Sequence, residues 1–308
     1  LAQKIVSNLT REYNLDGLTY NSSASIGVTL FNSENLSKVD LLKQADMAMY
    51  KAKYAGRNGV QFFDPQMQVA VSSRAAIISD LYSAIQSQQF VLFYQKQVNH
   101  LEQCIGVEVL LRWIHPEKGM VSPLQFIPLA EETGLIVPIS KWVLEEACAT
   151  LAKWSLESEK QHLSIAVNIS VVQFSKDNFV QTVLNALKTS GANPQLLKLE
   201  ITETLLANNI PDVKAKMKEL QQHGVTFSID DFGTGYSSLS YLKQLPINQL
   251  KIDQGFVRDI INSSNDRAIA QAVITLADSM ELQVIAEGVE TEAQRALLQS
   301  MGCHTYQG

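Results

Sequence analysis

From residue 90 onward the chain alternates short apolar runs with longer stretches in which apolar residues recur every three or four positions. Runs too short for helices, separated by amphipathic segments, are the pattern of βα units feeding a parallel sheet. The candidate strands are 90–98, 104–113, 163–169, 196–201, 225–229, 249–252, 283–286 and 303–306. Eight of them favour a closed barrel over an open sheet, so the expected fold class is α/β, a modified TIM (β/α)8 barrel. Only residues 99–103 separate the first two runs, too few for a helical crossover, so the first strand should be antiparallel to the second. The closing helix of such a barrel is expected to lie beyond residue 308.

Upstream, 23–31 has β character and 36–55 has helical spacing, with Leu41, Leu42, Ala45, Met49 and Ala52 on one stripe. Gly56 follows as a terminator, and Lys53 and Arg57 suit the negative end of the helix dipole. Ile77, Ile78, Leu81 and Ile85 make 65–89 a linking helix. The expected organisation is a partial α+β domain over 1–64, the linking helix over 65–89 and the barrel over 90–308. The chain begins without Met and in mid-pattern, as an excised piece of a longer protein would.

Composition changes this picture little: 46% hydrophobic and 18% charged residues suit one large globular domain, or a large one plus a small one. The net charge of −6 argues against a polymeric nucleic acid as partner, which demands a basic face, but leaves small anionic ligands open. Cys104, Cys148 and Cys303 are widely spaced and read as buried small apolar residues in a reducing, cytoplasmic compartment. No histidine spacing suits zinc. No apolar run approaches the roughly 20 residues of a spanning helix, so no membrane contact is expected from this segment; an anchor further upstream stays open.

The candidate chemistry lies at the downstream ends of the strands: Asn168, Glu200 with Glu203, Asp230 with Asp231, Lys251 with Asp253, Glu287 with Glu290, and Gln307. Glu108 sits inside the second strand between Val107 and Val109, where a carboxylate is costly unless paired or metal-bound. Singly, each has a structural reading: Asp230 and Asp231 as part of a turn before Gly233, Glu203 and Glu290 as first-turn helix acids, Asn168 as a cap, Lys251 as a surface charge. Gathered on one barrel rim, so many carboxylates repel one another unless cations neutralise them. Hard oxygen ligands without His or Cys select Mg²⁺ or Mn²⁺ over zinc. Two such ions about 4 Å apart suit in-line displacement at phosphorus.

The motifs name a family. Glu108-Val109-Leu110-Leu111-Arg112-Trp113, Asn168-Ile169-Ser170, Glu200-Ile201-Thr202-Glu203-Thr204, the loop from Asp230 to Leu239, Lys251-Ile252-Asp253, Ala286-Glu287-Gly288-Val289-Glu290 and Tyr306-Gln307-Gly308 together resemble the EAL-domain family of cyclic di-GMP phosphodiesterases. Some members of that family are non-catalytic receptors of the same ligand. The eponymous triplet reads Glu-Val-Leu, which keeps the carboxylate, and Lys96 stands where the family usually has Pro, at what should be the pocket edge. Ala45 to Asn58 similarly resembles the C-terminal end of GGDEF domains, the diguanylate cyclases, in which the residues matching Lys53 and Arg57 contact nucleotide phosphates. The loop that names that family is absent from this chain, so no cyclase activity attaches to it.

The EAL resemblance implies a metal-dependent phosphodiesterase opening cyclic di-GMP to linear pGpG, with two Mg²⁺ or Mn²⁺ ions per site. It assigns Glu108, Asn168, Glu200 and Asp230 to the first ion, and Asp230, Asp231 and Glu287 to the second. Lys251 would orient the attacking water and Glu287 is a candidate base; Arg112 would grip a phosphate, and Gln95 and Gln307 would line the pocket. Glu203 would hold the loop through partners such as Thr234 or Ser237, with Phe232 and Tyr236 packing it and Glu290 in support. A homodimer is also implied. A non-catalytic cyclic di-GMP receptor is the alternative, and the presence of every carboxylate favours the enzyme.

Overall fold

The computed structural model describes residues 1–15, 18–31, 37–206, 209–233 and 242–308. The chain separates into two compact units, Leu1–Asp80 and Leu81–Gly308, with the division inside the helix Pro65–Gln86.

In the smaller unit β1 (Glu12–Leu15) and β2 (Leu18–Asn21) form an antiparallel hairpin, and β3 (Ile26–Val28) pairs in parallel with β4 (Val60–Phe62). The helix Lys38–Tyr54 packs on β3 and starts at Ser37, whose side chain accepts from the Asp40 N–H. A side chain on Gly27 would collide with the backbone of Ala45 and Met49, so glycine is what lets strand and helix meet this closely. The expected 23–31 strand thus shrinks to three residues, and the hairpin and β4 appear without having been legible as alternation.

The larger unit contains β5 (Phe90–Asn99), β6 (Cys104–His115), β7 (Gly119–Val121), β8 (Ser164–Asn168), β9 (Leu197–Thr202), β10 (Thr226–Phe232), β11 (Gln249–Ile252), β12 (Gln283–Glu287) and β13 (Thr305–Gln307). β6, β8, β9, β10, β11, β12 and β13 run parallel in that order, and β5 closes the ring antiparallel to both β13 and β6. This is the modified barrel with an antiparallel first strand that the alternation predicts. One strand is additional: β6 runs on to His115, whose Nδ1 accepts from the Glu117 and Lys118 N–H groups and turns the chain into β7.

Side chains alternate faces along a strand, and here the two sets divide unusually. The apolar set, such as Val107 and Val109, Leu197, Leu199 and Ile201, or Leu250 and Ile252, is buried towards the surrounding helices. Among those helices, Ile136–Trp154 buries Ile139, Val143, Leu144, Ala147 and Leu151 at helical spacing. The opposite set fills the lumen with polar atoms: Gln97, Glu108, Glu200, Ser228, Gln249, Lys251 and Gln307 are all buried. The lumen has little spare room. Gly106 lies beside Ser164 across β6 and β8, and a Cβ there would stand 2.9 Å from the Ser164 carbonyl oxygen. Gly106→Val should therefore destabilise the chain by about 1–3 kcal/mol, the usual range for overpacking, measured by urea unfolding; an unchanged midpoint would mean the two strands can part freely.

Candidate metal centre

The site sits where the parallel strands end, and its first requirement is that two adjacent aspartates face one point. β10 pairs with β9 in register as far as Asp230 opposite Thr202, but its pairing with β11 shifts between Ile229 and Phe232. Asp231 lies in that shift with φ 53°, a left-handed conformation that Asp adopts more readily than most residues. The sequence predicts that the strand ends at 229 so that both carboxylates can converge; instead it continues to Phe232 and an irregularity breaks the alternation. Asp230, Asp231 and Glu287 each bring a carboxylate oxygen within 4.8 Å of the others.

Beneath them the Lys251 ammonium, fully buried, is ringed by four carboxylates. Its Nζ lies 2.9 Å from Glu200 Oε2, 3.1 Å from Asp230 Oδ1, 3.3 Å from Glu108 Oε2 and 2.5 Å from Glu287 Oε1. Glu108 is held from its other sides as well: Asn168 Nδ2 donates to its Oε1 at 2.6 Å and Gln307 Nε2 to its Oε2 at 2.5 Å. Gln307 Nε2 also donates to Gln95 Oε1 at 3.1 Å. Glu108, Asn168, Glu200, Asp230, Asp231, Lys251, Glu287, Gln95 and Gln307 thus come together at one end of the lumen.

One ammonium cannot balance four carboxylates, and the protonation equilibria record the deficit. Burial, reinforced by Glu108 and Asp230 and opposed by Lys251, pushes Glu200 up to about 8. Burial likewise raises Glu287 to about 7, opposed by Lys251 and reinforced by Asp230. Asp231 is raised to about 6 by burial, by Asp230 and by a hydrogen bond with Asp253. Burial alone would depress Lys251, but the surrounding carboxylates outweigh it and hold the ammonium well above its ordinary value. The cluster therefore has room for further positive charge. Among the described residues Glu200 Oε1 is buried and has no hydrogen-bond partner, and an all-oxygen donor set fits a hard divalent ion.

The remaining predicted residues surround this core unequally. Arg112 shares the inward face of β6 with Glu108; its guanidinium lies 5.5 Å from the Phe93 ring centroid and donates to the Leu111 carbonyl. It lines a cavity of about 340 Å³ together with Glu131, Asn168, Thr202, Asp230 and Asp231. Glu203 opens the short helix after β9 and accepts from the Gly233 N–H at 2.8 Å, so it grips the start of the loop that follows β10. Glu290 is exposed, and its backbone N–H donates to Gln294 Oε1. Lys96 is exposed and alternates away from the lumen residues Gln95 and Gln97, so it does not form the pocket edge expected of it. Phe232 is buried, as a packing residue should be; Thr234, Tyr236, Ser237 and the rest of 234–241 lie outside the described residues.

Two polar residues near the centre, Lys198 and Gln97, do not stand out in the sequence. Lys198 lies two residues before Glu200 on the same face of β9, and its Nζ donates to Gln249 Oε1 at 2.8 Å while burial pushes its pKa down. Gln97 lies two residues after Gln95 and donates to Gln307. Their period-two spacing from motif residues is the only signal the sequence offers.

With no cation bound, burial raises Glu200, Glu287 and Asp231 above the ordinary carboxyls of the unfolded chain, so they release their protons at higher pH. Stability must therefore fall as pH rises from the ordinary carboxylate range through about 8. In EDTA the chain should melt at a lower temperature at about pH 8 than at about pH 5, and Mg²⁺ should shrink the difference by matching the released charge. Glu200→Gln should flatten the metal-free dependence, and a melting temperature rising over this range in EDTA would contradict the charge deficit.

The EAL domain family model matches residues 78–308, and the diguanylate cyclase, GGDEF domain model matches residues 1–59. The bifunctional diguanylate cyclase/cyclic di-GMP phosphodiesterase MucR of Pseudomonas aeruginosa is 43% identical over 309 aligned residues, covering 100% of this chain and 45% of the relative. The cyclic di-GMP phosphodiesterase NbdA of the same organism is 38% identical, covering 100% of this chain and 39% of NbdA. The chain thus spans less than half the length of these curated relatives. Among solved structures, the PaMucR phosphodiesterase in complex with c-di-GMP is 45% identical with a TM-score of 0.73, covering 76% of this chain and 94% of that one. The antiparallel-started barrel and the family model over residues 78–308 lead to one conclusion: the chain belongs to the EAL domain family.

Proposed function

We propose that the larger unit hydrolyses a phosphodiester bond of cyclic di-GMP to give linear pGpG, using two divalent cations, Mg²⁺ or Mn²⁺. The observation that carries this reading is the convergence of Asp230, Asp231 and Glu287 within 4.8 Å, above the buried Lys251 and beside Glu108 and Glu200. Family membership and the activities named for MucR and NbdA support it.

In this reading Glu108, Asn168, Glu200 and Asp230 hold one cation, and Asp230, Asp231 and Glu287 the other. Bound there, such ions would activate a water nucleophile and offset charge developing on the phosphoryl oxygens. Lys251, held charged by its carboxylate neighbours, is a poor base; it orients the reactants and stabilises negative charge. Glu287, next to Lys251 in the cluster, is the candidate base. Arg112 on the cavity wall binds a substrate phosphate, while Gln95 and Gln307 border the reacting bond. Glu203 ties the loop after β10 to the centre through Gly233, and Glu290 supports it from the exposed side.

The same reading takes 1–64 as the C-terminal part of a GGDEF-like domain, 65–89 as a linking helix and 90–308 as the barrel domain, acting as a homodimer. A cytoplasmic setting accords with the free thiols of Cys104, Cys148 and Cys303. Among the described residues no helix is long and apolar enough to cross a membrane.

Incubation with cyclic di-GMP and Mg²⁺ or Mn²⁺ should yield the linear dinucleotide by chromatography. Tight binding without turnover in either metal would support the receptor reading instead. Glu108→Ala should lower turnover by at least about 100-fold while leaving the thermal melt near that of the parent; near-normal rates would refute the ligand set. Glu203→Ala should act less severely, raising the metal concentration needed for half-maximal rate.

A further inference from the structure

Behind Glu108 stands a short chain of buried amides. Gln97 Nε2 donates to Gln307 Oε1 at 3.0 Å, and Gln307 Nε2 donates to Glu108 Oε2 at 2.5 Å and to Gln95 Oε1 at 3.1 Å. Gln97 is 1% exposed and Gln307 4%, so neither can turn to water for another partner. A carboxamide has one accepting end and one donating end. An ionised Glu108 only accepts, so Gln307 must present Nε2 to it, and Gln307 Oε1 then needs a donor from the far side. Gln97 is that donor.

The backbone explains how Gln97 reaches this position. β5 is the antiparallel strand, which sets Gln95 opposite Glu108 and Gln97 opposite Gly106. The pairing shifts immediately after Gln97. Without Gln97, half a turn about the last Gln307 torsion would set a carbonyl oxygen against the Glu108 carboxylate.

We propose that Gln97 is a positioning residue for the centre: it locks the Gln307 amide with Nε2 towards Glu108, and through that bond sets the Glu108 carboxylate for cation binding. This rests on the reading of the cluster as a metal centre. Residues that orient metal ligands through hydrogen bonds commonly change metal affinity by about 10–100-fold when removed.

Gln97→Met keeps the volume and removes the donor. In the 308-residue chain, calorimetric titration with Mn²⁺ alone should show affinity weakened by about 10-fold or more relative to the parent. Added to Gln307→Met, it should cause no further loss, because it acts through that amide. Selective ¹⁵N-glutamine labelling supplies a readout independent of metal: the Gln307 side-chain amide protons should exchange slowly in the parent and faster in Gln97→Met. Affinity within twofold of the parent, or losses that multiply in the double variant, would overturn the proposal. An unmoved Gln307 amide would overturn the lock itself. A parent that takes up no Mn²⁺ would overturn the metal-centre reading, and the purpose assigned to Gln97 with it, while the amide exchange still decides whether the lock exists.

Discussion

The larger unit depends on one electrostatic arrangement: a fully buried ammonium among four carboxylates drawn from four different strands. Lys251 of β11 touches Glu108 of β6, Glu200 of β9, Asp230 of β10 and Glu287 of β12. Burying any of these charges alone would be prohibitive, and the ammonium makes it tolerable by matching part of the negative charge and donating hydrogen bonds. The match is deliberately incomplete in the chemical sense that Glu200 and Glu287 are left with raised pKa values. A site short of positive charge is a site prepared to bind it.

The barrel is what brings the five groups to one point. Because each strand turns its apolar residues outward to the helices, its inward residues are free to be polar, provided that they satisfy one another. They do so in linked pairs: Asn168 with Glu108, Lys198 with Gln249, Gln97 with Gln307. The antiparallel β5 contributes most to this economy of partners. Running against its neighbours, it carries Gln95 and Gln97 alongside Glu108 and Gln307 and closes the ring there.

Adjacent carboxylates impose a second constraint. Asp230 and Asp231 would face opposite sides of a regular strand, and the left-handed backbone at Asp231 is what redirects one of them. The cost of that conformation is borne at a position where its side chain joins the carboxylate cluster with Asp230 and Glu287. Glu203, gripping the next loop at Gly233, ties this local irregularity to the end of β9.

How much of this was legible depended on whether the signal was local. Short apolar runs alternating with amphipathic stretches pointed to eight strands and a barrel, and the short 99–103 connection to the antiparallel start, because both are properties of neighbouring residues. The unusual carboxylate at Glu108 and the acidic strand ends were likewise plain from residue type, and the motifs carry the family resemblance by themselves. The β1–β2 hairpin, β7 and the continuation of β10 past 229 were not, since each follows from a hydrogen bond or a register shift. The Lys251 hub and the Gln97–Gln307–Glu108 relay lie further still from local pattern. Their partners are separated by as many as 210 residues in the chain, and only closure of the barrel decides which buried donor meets which buried acceptor.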